Sequence, residues 1–104
     1  VLGIVENMAY YQLPNDDTKH QIFGKDGAKN LAEDFKIPFL GEIPIIQQIR
    51  ESADVGRPLS IDEDSATAVI YDEITKKMIT FLLERNKNLP PTEILKIKTM
   101  AGCQ

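Results

Sequence analysis

The chain has 104 residues, of which 42% are hydrophobic and 27% charged, and its formal net charge is -4. This composition is typical of one globular domain, and the negative balance argues against nucleic acid or an anionic membrane as a partner. The single cysteine, Cys103, excludes a disulfide within the chain and suits the reducing cytoplasm, where we expect the protein.

The first predicted element is a strand. Val1 to Glu6 is a short, apolar run without clean alternation, which predicts a strand covered on both faces, as in a parallel sheet. Asn7 to Ile22 is rich in polar and turn residues and predicts a long loop. Because the chain opens inside an apolar strand, we expect it to be a segment of something larger.

A helix and a second strand are predicted next. Helical spacing runs from about Gly24 to Lys36. The stripe predicted to face the core consists of Ala28, Leu31, Ala32 and Phe35. Pro38 ends this helix and opens the run PFLGEI, which predicts the second strand. Two strands joined through a helix imply parallel pairing by a right-handed crossover.

Two more helices complete the predicted order. Pro44 ends the second strand and suits the first turn of a short helix that ends before Gly56. A long helix is predicted from about Ser65 to Arg85. Its core stripe is predicted to contain Ile70, Ile74, Met78, Phe81 and Leu82, widened by Val69, Tyr71, Ile79 and Leu83. The tail is predicted to be an extended arm or an edge strand.

Asn7 is the first candidate site residue, because it lies at the carboxyl end of the first predicted strand. Pro44 lies at the end of the second, and open α/β sheets bind ligands beyond these ends. An asparagine amide carries an acceptor and a donor in one plane and can pair with the edge of a heterocyclic base. A rigid Ile43–Pro44 turn can add backbone groups and an apolar wall. On spacing alone, the alternative stays open that Asn7 only terminates its strand by bonding its own turn.

A combination of runs carries a family resemblance: GIVENM, IFG…GA…LA, PFLGEIP and IRES-x-D-x-G-x-P. Together they resemble the C-terminal part of Mrp-type ATPases, which are relatives of MinD and ParA proteins and of ApbC- and Nbp-type iron–sulfur cluster carriers. The resemblance is dense over about residues 1–59, and the long helix follows the family in its placement.

The resemblance implies an α/β fold, the C-terminal part of a doubly wound parallel-sheet P-loop ATPase, usually a dimer that sandwiches ATP and magnesium. It implies that residues 1–88 belong to the ATPase domain, with the phosphate loop upstream, and that residues 89–104 form an extended tail. In such proteins the asparagine of the Asn-Met pair and the Ile-Pro turn face adenine. Carried over, the cofactor-binding residues are Asn7, Ile43, Pro44 and Ile45.

The phosphate loop itself is not found in this sequence. The run FGKDGAKN does not match G-x-x-x-x-G-K-[ST], since Ala28 follows Gly27 and no serine or threonine follows Lys29. Gly24 and Gly27 are interpreted as helix-entry residues. Without backbone amides and a lysine around the phosphates, this segment alone is expected neither to hydrolyse ATP nor to bind it tightly. No catalytic residue is assigned.

The loop after Asn7-Met8 differs from that of many family members, in which a Cys-x-x-Cys pair from each subunit ligates a bridging four-iron four-sulfur cluster. Here this loop has no cysteine, and Asp16, Asp17 and His20 are harder ligands than such clusters need. Cluster carriage through this loop is therefore in doubt, and no metal ligand is assigned. A mixed Asp/His metal site and a cluster role for Cys103 stay open, whereas a solvated polar loop is favoured.

We therefore predict the C-terminal portion of an ATP-binding, Mrp-like protein of iron–sulfur cluster assembly or transfer. Its expected partners are a second copy of itself and iron–sulfur client proteins. One alternative is a non-catalytic α/β interaction or regulatory module. Another is a MinD- or ParA-like positioning ATPase, which needs an amphipathic membrane-targeting tail or a basic DNA-binding face, and neither is evident.

Overall fold

The computed structural model describes residues 1–13, 15–62 and 65–94. The order of elements is strand β1 (Ile4–Glu6), helix α1 (Gly27–Phe35), strand β2 (Phe39–Glu42), helix α2 (Gln47–Asp54), a 3-10 turn (Leu59–Ile61) and helix α3 (Ala66–Asn88). The predicted order of strands and α-helices is confirmed, and the 3-10 turn was not expected. The prediction of an edge strand or arm for residues 95–104 lies outside the described residues.

The two strands pair in parallel, as predicted. Ile4 lies opposite Phe39 and Glu6 lies opposite Glu42, with a register irregularity after Ile4. Within the described residues the sheet contains these two strands alone, so each strand keeps one unpaired edge. The arrangement is α/β, and the wider doubly wound sheet stays a prediction.

Helix α1 packs against both strands but buries a narrower face than predicted. Ala32 is buried, whereas Leu31 and Phe35 are 47% and 68% exposed. The prediction that Leu31 and Phe35 face the core is therefore wrong for this structure. Successive helical residues are about 100° apart, and a two-stranded sheet is too narrow to cover a stripe wider than the one around Ala32.

Helix α3 packs against β2 and the 3-10 turn, and Ser65 caps its N-terminus through a 2.9 Å bond from the amide of Ala68 to its Oγ. The prediction that Met78 and Leu82 are core residues is wrong, because both are exposed. The reason is length. The 23 residues of α3 span about 35 Å, whereas the 4 residues of β2 span about 13 Å. Val69, Ile79 and Leu83, predicted to widen the stripe, are exposed as well.

Candidate functional site

The parallel pairing is interrupted at Asn7 and Met8 and resumes directly after them. The amide of Ile43 donates to the carbonyl of Glu6 at 2.8 Å, and the carbonyl of Ile43 accepts from the amide of Ala9 at 3.0 Å. Both backbone partners of Ile43 therefore flank the two residues, which bulge out from the end of β1. Bulges of this kind are frequent beside ligand sites, where they re-aim a side chain.

Within this bulge, Asn7 is bonded to its own turn. Its Oδ1 accepts a 2.9 Å hydrogen bond from the amide of Met8, and Met8 adopts a left-handed backbone with φ 53°. A positive φ is uncommon outside glycine. The structure therefore contains the hydrogen bond between Asn7 and its own turn that the alternative interpretation expected. Asn7 is also exposed, and its Nδ2 donates to none of the described residues, so the donor half of the amide is open to a ligand.

The segment after β2 is apolar, and its amide groups are already engaged. Ile43 and Pro44 are buried and Ile45 is half-buried. The amide of Ile43 is used by Glu6, the amide of Ile45 donates to the carbonyl of Tyr10 at 2.7 Å, and Pro44 has no amide hydrogen. The N–H groups of this turn are therefore bonded within the chain and are not free to donate to a ligand.

Pro44 also lines a cavity of about 270 Å³ at the carboxyl ends of the strands. The cavity is lined by Tyr10, Gln12, Leu13, Pro44, Ile46, Ala66 and Ile70. Asn7 is not among these residues. The structure therefore places all four predicted site residues in the segments that end the two strands, without bringing Asn7 into the cavity beside Pro44.

The loop after the bulge is closed by backbone pairing at its neck. The amide of Tyr11 donates to the carbonyl of His20 at 2.8 Å, and the amide of His20 donates back at 2.7 Å. Beside this neck, the ammonium of Lys19 lies 4.5 Å from the centre of the Tyr10 ring, a cation–π contact. Sequence reasoning missed this closure, because pairing between residues nine positions apart leaves no periodic signal.

The tip of the loop is held by Asp16. Its Oδ1 accepts from the amide of Thr18 at 2.9 Å, its amide donates to the carbonyl of Leu13 at 3.1 Å, and its carbonyl accepts from Gln12 Nε2 at 2.8 Å. The hydrogen bonds from the Thr18 backbone and side chain lower the pKa of the Asp16 carboxyl, and the charge of His20 lowers it further. The loop is therefore ordered by its own polar groups.

Metal-binding groups are not assembled in residues 1–13, 15–62 and 65–94. No three His, Cys, Asp or Glu side chains in these ranges lie together in a way that can hold a metal ion. The alternative of a mixed site at Asp16, Asp17 and His20 is therefore not supported, and Cys103 lies outside the described residues. In the same ranges, no helix combines the length and the apolar character needed to cross a membrane.

Comparison with known proteins identifies the family. A family model described as NUBPL iron-transfer P-loop NTPase, of the ParA group, matches residues 1–79. The chain belongs to the NUBPL iron-transfer P-loop NTPase family. The resemblance to Mrp-, ApbC- and Nbp-type proteins is thereby confirmed, and the match includes β1, the bulge, β2 and the first half of α3.

Its relatives in this family include proteins named for the transfer or carriage of iron–sulfur clusters. The iron-sulfur cluster transfer protein NUBPL of Dictyostelium discoideum is 45% identical over 80 residues, which are 76% of this chain and 25% of that protein. The iron-sulfur cluster carrier protein of Pyrococcus horikoshii is 37% identical over 83 residues, 80% of this chain and 28% of that protein. The iron-sulfur cluster carrier protein of Bacillus subtilis is 38% identical over 78 residues, which are 75% of this chain and 22% of that protein. This chain spans about a quarter of the length of these relatives.

Proposed function

We propose that this chain is the C-terminal portion of an ATP-binding protein that assembles or transfers iron–sulfur clusters, and that it supplies the adenine-facing wall. The observation that carries the nucleotide part is Asn7, an exposed amide on a bulge at the carboxyl end of β1, next to a parallel strand that ends at Pro44. The names of the relatives, a cluster transfer protein and a cluster carrier protein, support the second part.

The four proposed site residues provide one polar contact, through Asn7, and an apolar surface, through the three residues after β2. Asn7 meets the edge of the ring. The apolar wall is formed by the half-buried Ile45 and by the part of Pro44 that lines the cavity, and the buried Ile43 supports it from behind. The wall is rigid because the backbone of Ile43 is bonded on both sides of the bulge. A mostly apolar surface with few polar groups is how small-molecule sites obtain both affinity and orientation.

The phosphates and magnesium require groups that the described residues do not offer. The run from Phe23 to Asn30 does not form a phosphate loop, and no group of metal ligands is assembled in the described part of the chain. We therefore place the phosphate-binding and magnesium-binding groups outside the described residues. This chain by itself is expected to bind ATP weakly and not to hydrolyse it.

We propose that the iron–sulfur cluster is cargo rather than a resident cofactor. The loop between Tyr11 and His20 contains no thiolate, the ligand that such clusters need, so we assign no cluster ligand within it. We propose a homodimer as the working assembly, because the free edges of β1 and β2 favour association, and iron–sulfur proteins of the cytoplasm as clients.

The nucleotide part is tested by titrating ATP into the isotopically labelled chain and following its amide resonances. We expect shifts centred on Asn7, Met8 and Ile45, with weak affinity. Asn7→Ala removes the polar contact and should weaken ATP binding about fivefold, as measured by the shifts at Ile45, whereas Asn30→Ala, at an exposed asparagine on α1, is the matched control and should leave the affinity unchanged.

Two results would contradict the proposal: no shift around Asn7 at millimolar ATP, or identical titrations for Asn7→Ala and the unchanged chain. The same titration separates the alternative of a non-catalytic interaction module. Such a module would keep the α/β fold, and ATP should then cause no shifts at the carboxyl ends of its strands.

A further inference from the structure

We propose that the main-chain amide of Met8 is a positioning group, which turns the side chain of Asn7 so that its NH2 group, and not its oxygen, meets the base. The base is then recognised through a ring-nitrogen acceptor rather than through its exocyclic amine. This inference rests on the proposed function and deepens it by naming the atoms of the ligand that are recognised.

The orientation of the Asn7 amide follows from the chemistry of its partner. The amide of Met8 can only donate, so the atom 2.9 Å from it must be the oxygen of Asn7. The NH2 group is on the other side of the same planar amide and is directed away from Met8. A rotation of the amide by 180° would bring two donors face to face and is therefore disfavoured.

The backbone around this contact is fixed on both sides. Ile43, only 8% exposed, bonds to Glu6 before the bulge and to Ala9 after it. Met8 has a left-handed backbone with φ 53°, and its amide is bonded to Asn7 Oδ1. The donor is therefore presented by a rigid turn, and little freedom remains to be lost when a ligand binds.

The consequence for recognition is specific. An adenine edge offers ring nitrogens as acceptors and the 6-amino group as a donor. With the oxygen of Asn7 engaged by Met8, the free NH2 group pairs with a ring nitrogen. Removal of the 6-amino group should then cost little, whereas removal of the recognised ring nitrogen should cost the full hydrogen bond.

The test compares nucleotide analogues by resonance titration of the full chain. The ligands are ATP, purine riboside 5′-triphosphate, which lacks the 6-amino group, and the 1-deaza, 3-deaza and 7-deaza analogues of ATP. For the unchanged chain, we expect purine riboside triphosphate to bind within about twofold of ATP, and one deaza analogue to bind about fivefold more weakly, the value of one neutral hydrogen bond.

Asn7→Asp is the informative variant, because a carboxylate still accepts from Met8 but has no donor. The difference between ATP and the sensitive deaza analogue should disappear in Asn7→Asp, and comparison within each variant removes the effect of the added charge. The Met8 amide should exchange with solvent at about the same rate in Asn7→Asp as in the unchanged chain and faster in Asn7→Ala, which would show that the turn itself survives the first change.

The outcomes separate this inference from the proposed function. If loss of the 6-amino group weakens binding about fivefold and no deaza analogue does, the oxygen of Asn7 reads the base, and the inference is wrong while the nucleotide site stands. Equal binding of all five nucleotides to the unchanged chain also overturns the inference alone. If none of them shifts the resonances around Asn7, both proposals fail.

Discussion

Gly41 of β2 packs directly against Ile74 of α3. A Cβ atom added at Gly41 would lie 2.9 Å from Cγ1 of Ile74, and Gly41 has a positive φ of 154°. This close approach allows the helix to seat on the strand, because any side chain at position 41 would separate them.

We expect Gly41→Ala to destabilise the protein by about 1–3 kcal/mol, because overpacking adds to an unfavourable backbone. Urea unfolding followed by circular dichroism gives the free energy of unfolding. The matched control is Gly27→Ala, where the added Cβ meets its nearest atom, Glu6 Oε1, at 3.8 Å, and stability should change by less than about 0.5 kcal/mol. If Gly41→Ala costs the same in an Ile74→Ala background, the explanation by contact with Ile74 is wrong.

Ser65 is expected to contribute to stability as the N-cap of α3. Its Oγ accepts from the amide of Ala68 at 2.9 Å and lies 3.4 Å from the carbonyl of Leu59. Ser65→Ala should lower the free energy of unfolding by about 1 kcal/mol, because a helix amide loses its partner. Ser60→Ala is the control, since Ser60 is exposed in the 3-10 turn. Equal effects of the two substitutions on the free energy of unfolding would contradict the capping role of Ser65.

The loop tip should depend on pH through Asp16. Its pKa is lowered in the folded chain, so ionised Asp16 favours the ordered loop. This contribution is fully present above the ordinary aspartate pKa of about 4 and is lost as the pH falls through the lower, folded pKa. The carboxyl resonance of Asp16 should therefore titrate below the ordinary value for an aspartate. Thr18→Val should raise the pKa of Asp16 only part of the way, because the backbone bond from residue 18 remains; an unchanged pKa would contradict the assigned cause.

The isolated chain should associate with itself. Both strands have a free edge, and apolar side chains on α1 and α3, among them Phe35 and Leu83, are exposed. Sedimentation velocity at increasing concentration should show dimers or larger species. Leu83→Lys should shift this equilibrium toward monomer, and Lys76→Arg, which keeps the charge on the same helix, should not. A monomer at the highest concentration would contradict this expectation.

The order of the strands and helices could be predicted from the sequence, but the burial of their side chains could not. Pro38 and Pro44 delimit the second strand, and the connecting helix gives the parallel pairing that the structure contains. The exposure of Leu31 and Phe35 could not be predicted, since apolar spacing identifies a face but not the presence of a neighbour over it. Burial is a property of the surrounding elements as much as of the residue.

The same distinction holds at the candidate site. Asn7 was singled out because an amide side chain ends a strand, and the structure leaves it exposed there. The left-handed backbone of Met8 could not be predicted, because methionine carries no preference for a positive φ. The hydrogen bond from the Met8 amide to Asn7 Oδ1 decides which half of the Asn7 amide is free, so sequence reasoning could name the residue but not the atom that it presents.

The paired backbone at Tyr11 and His20 has a consequence for how this family can diversify. Two hydrogen bonds join the ends of the loop, so its interior can be exchanged or lengthened without strain reaching the strand end at Asn7. The sequence of the loop interior can therefore differ without moving Asn7, the proposed ligand residue, and a foreign peptide grafted between Gln12 and Lys19 should leave the backbone at Asn7 in place.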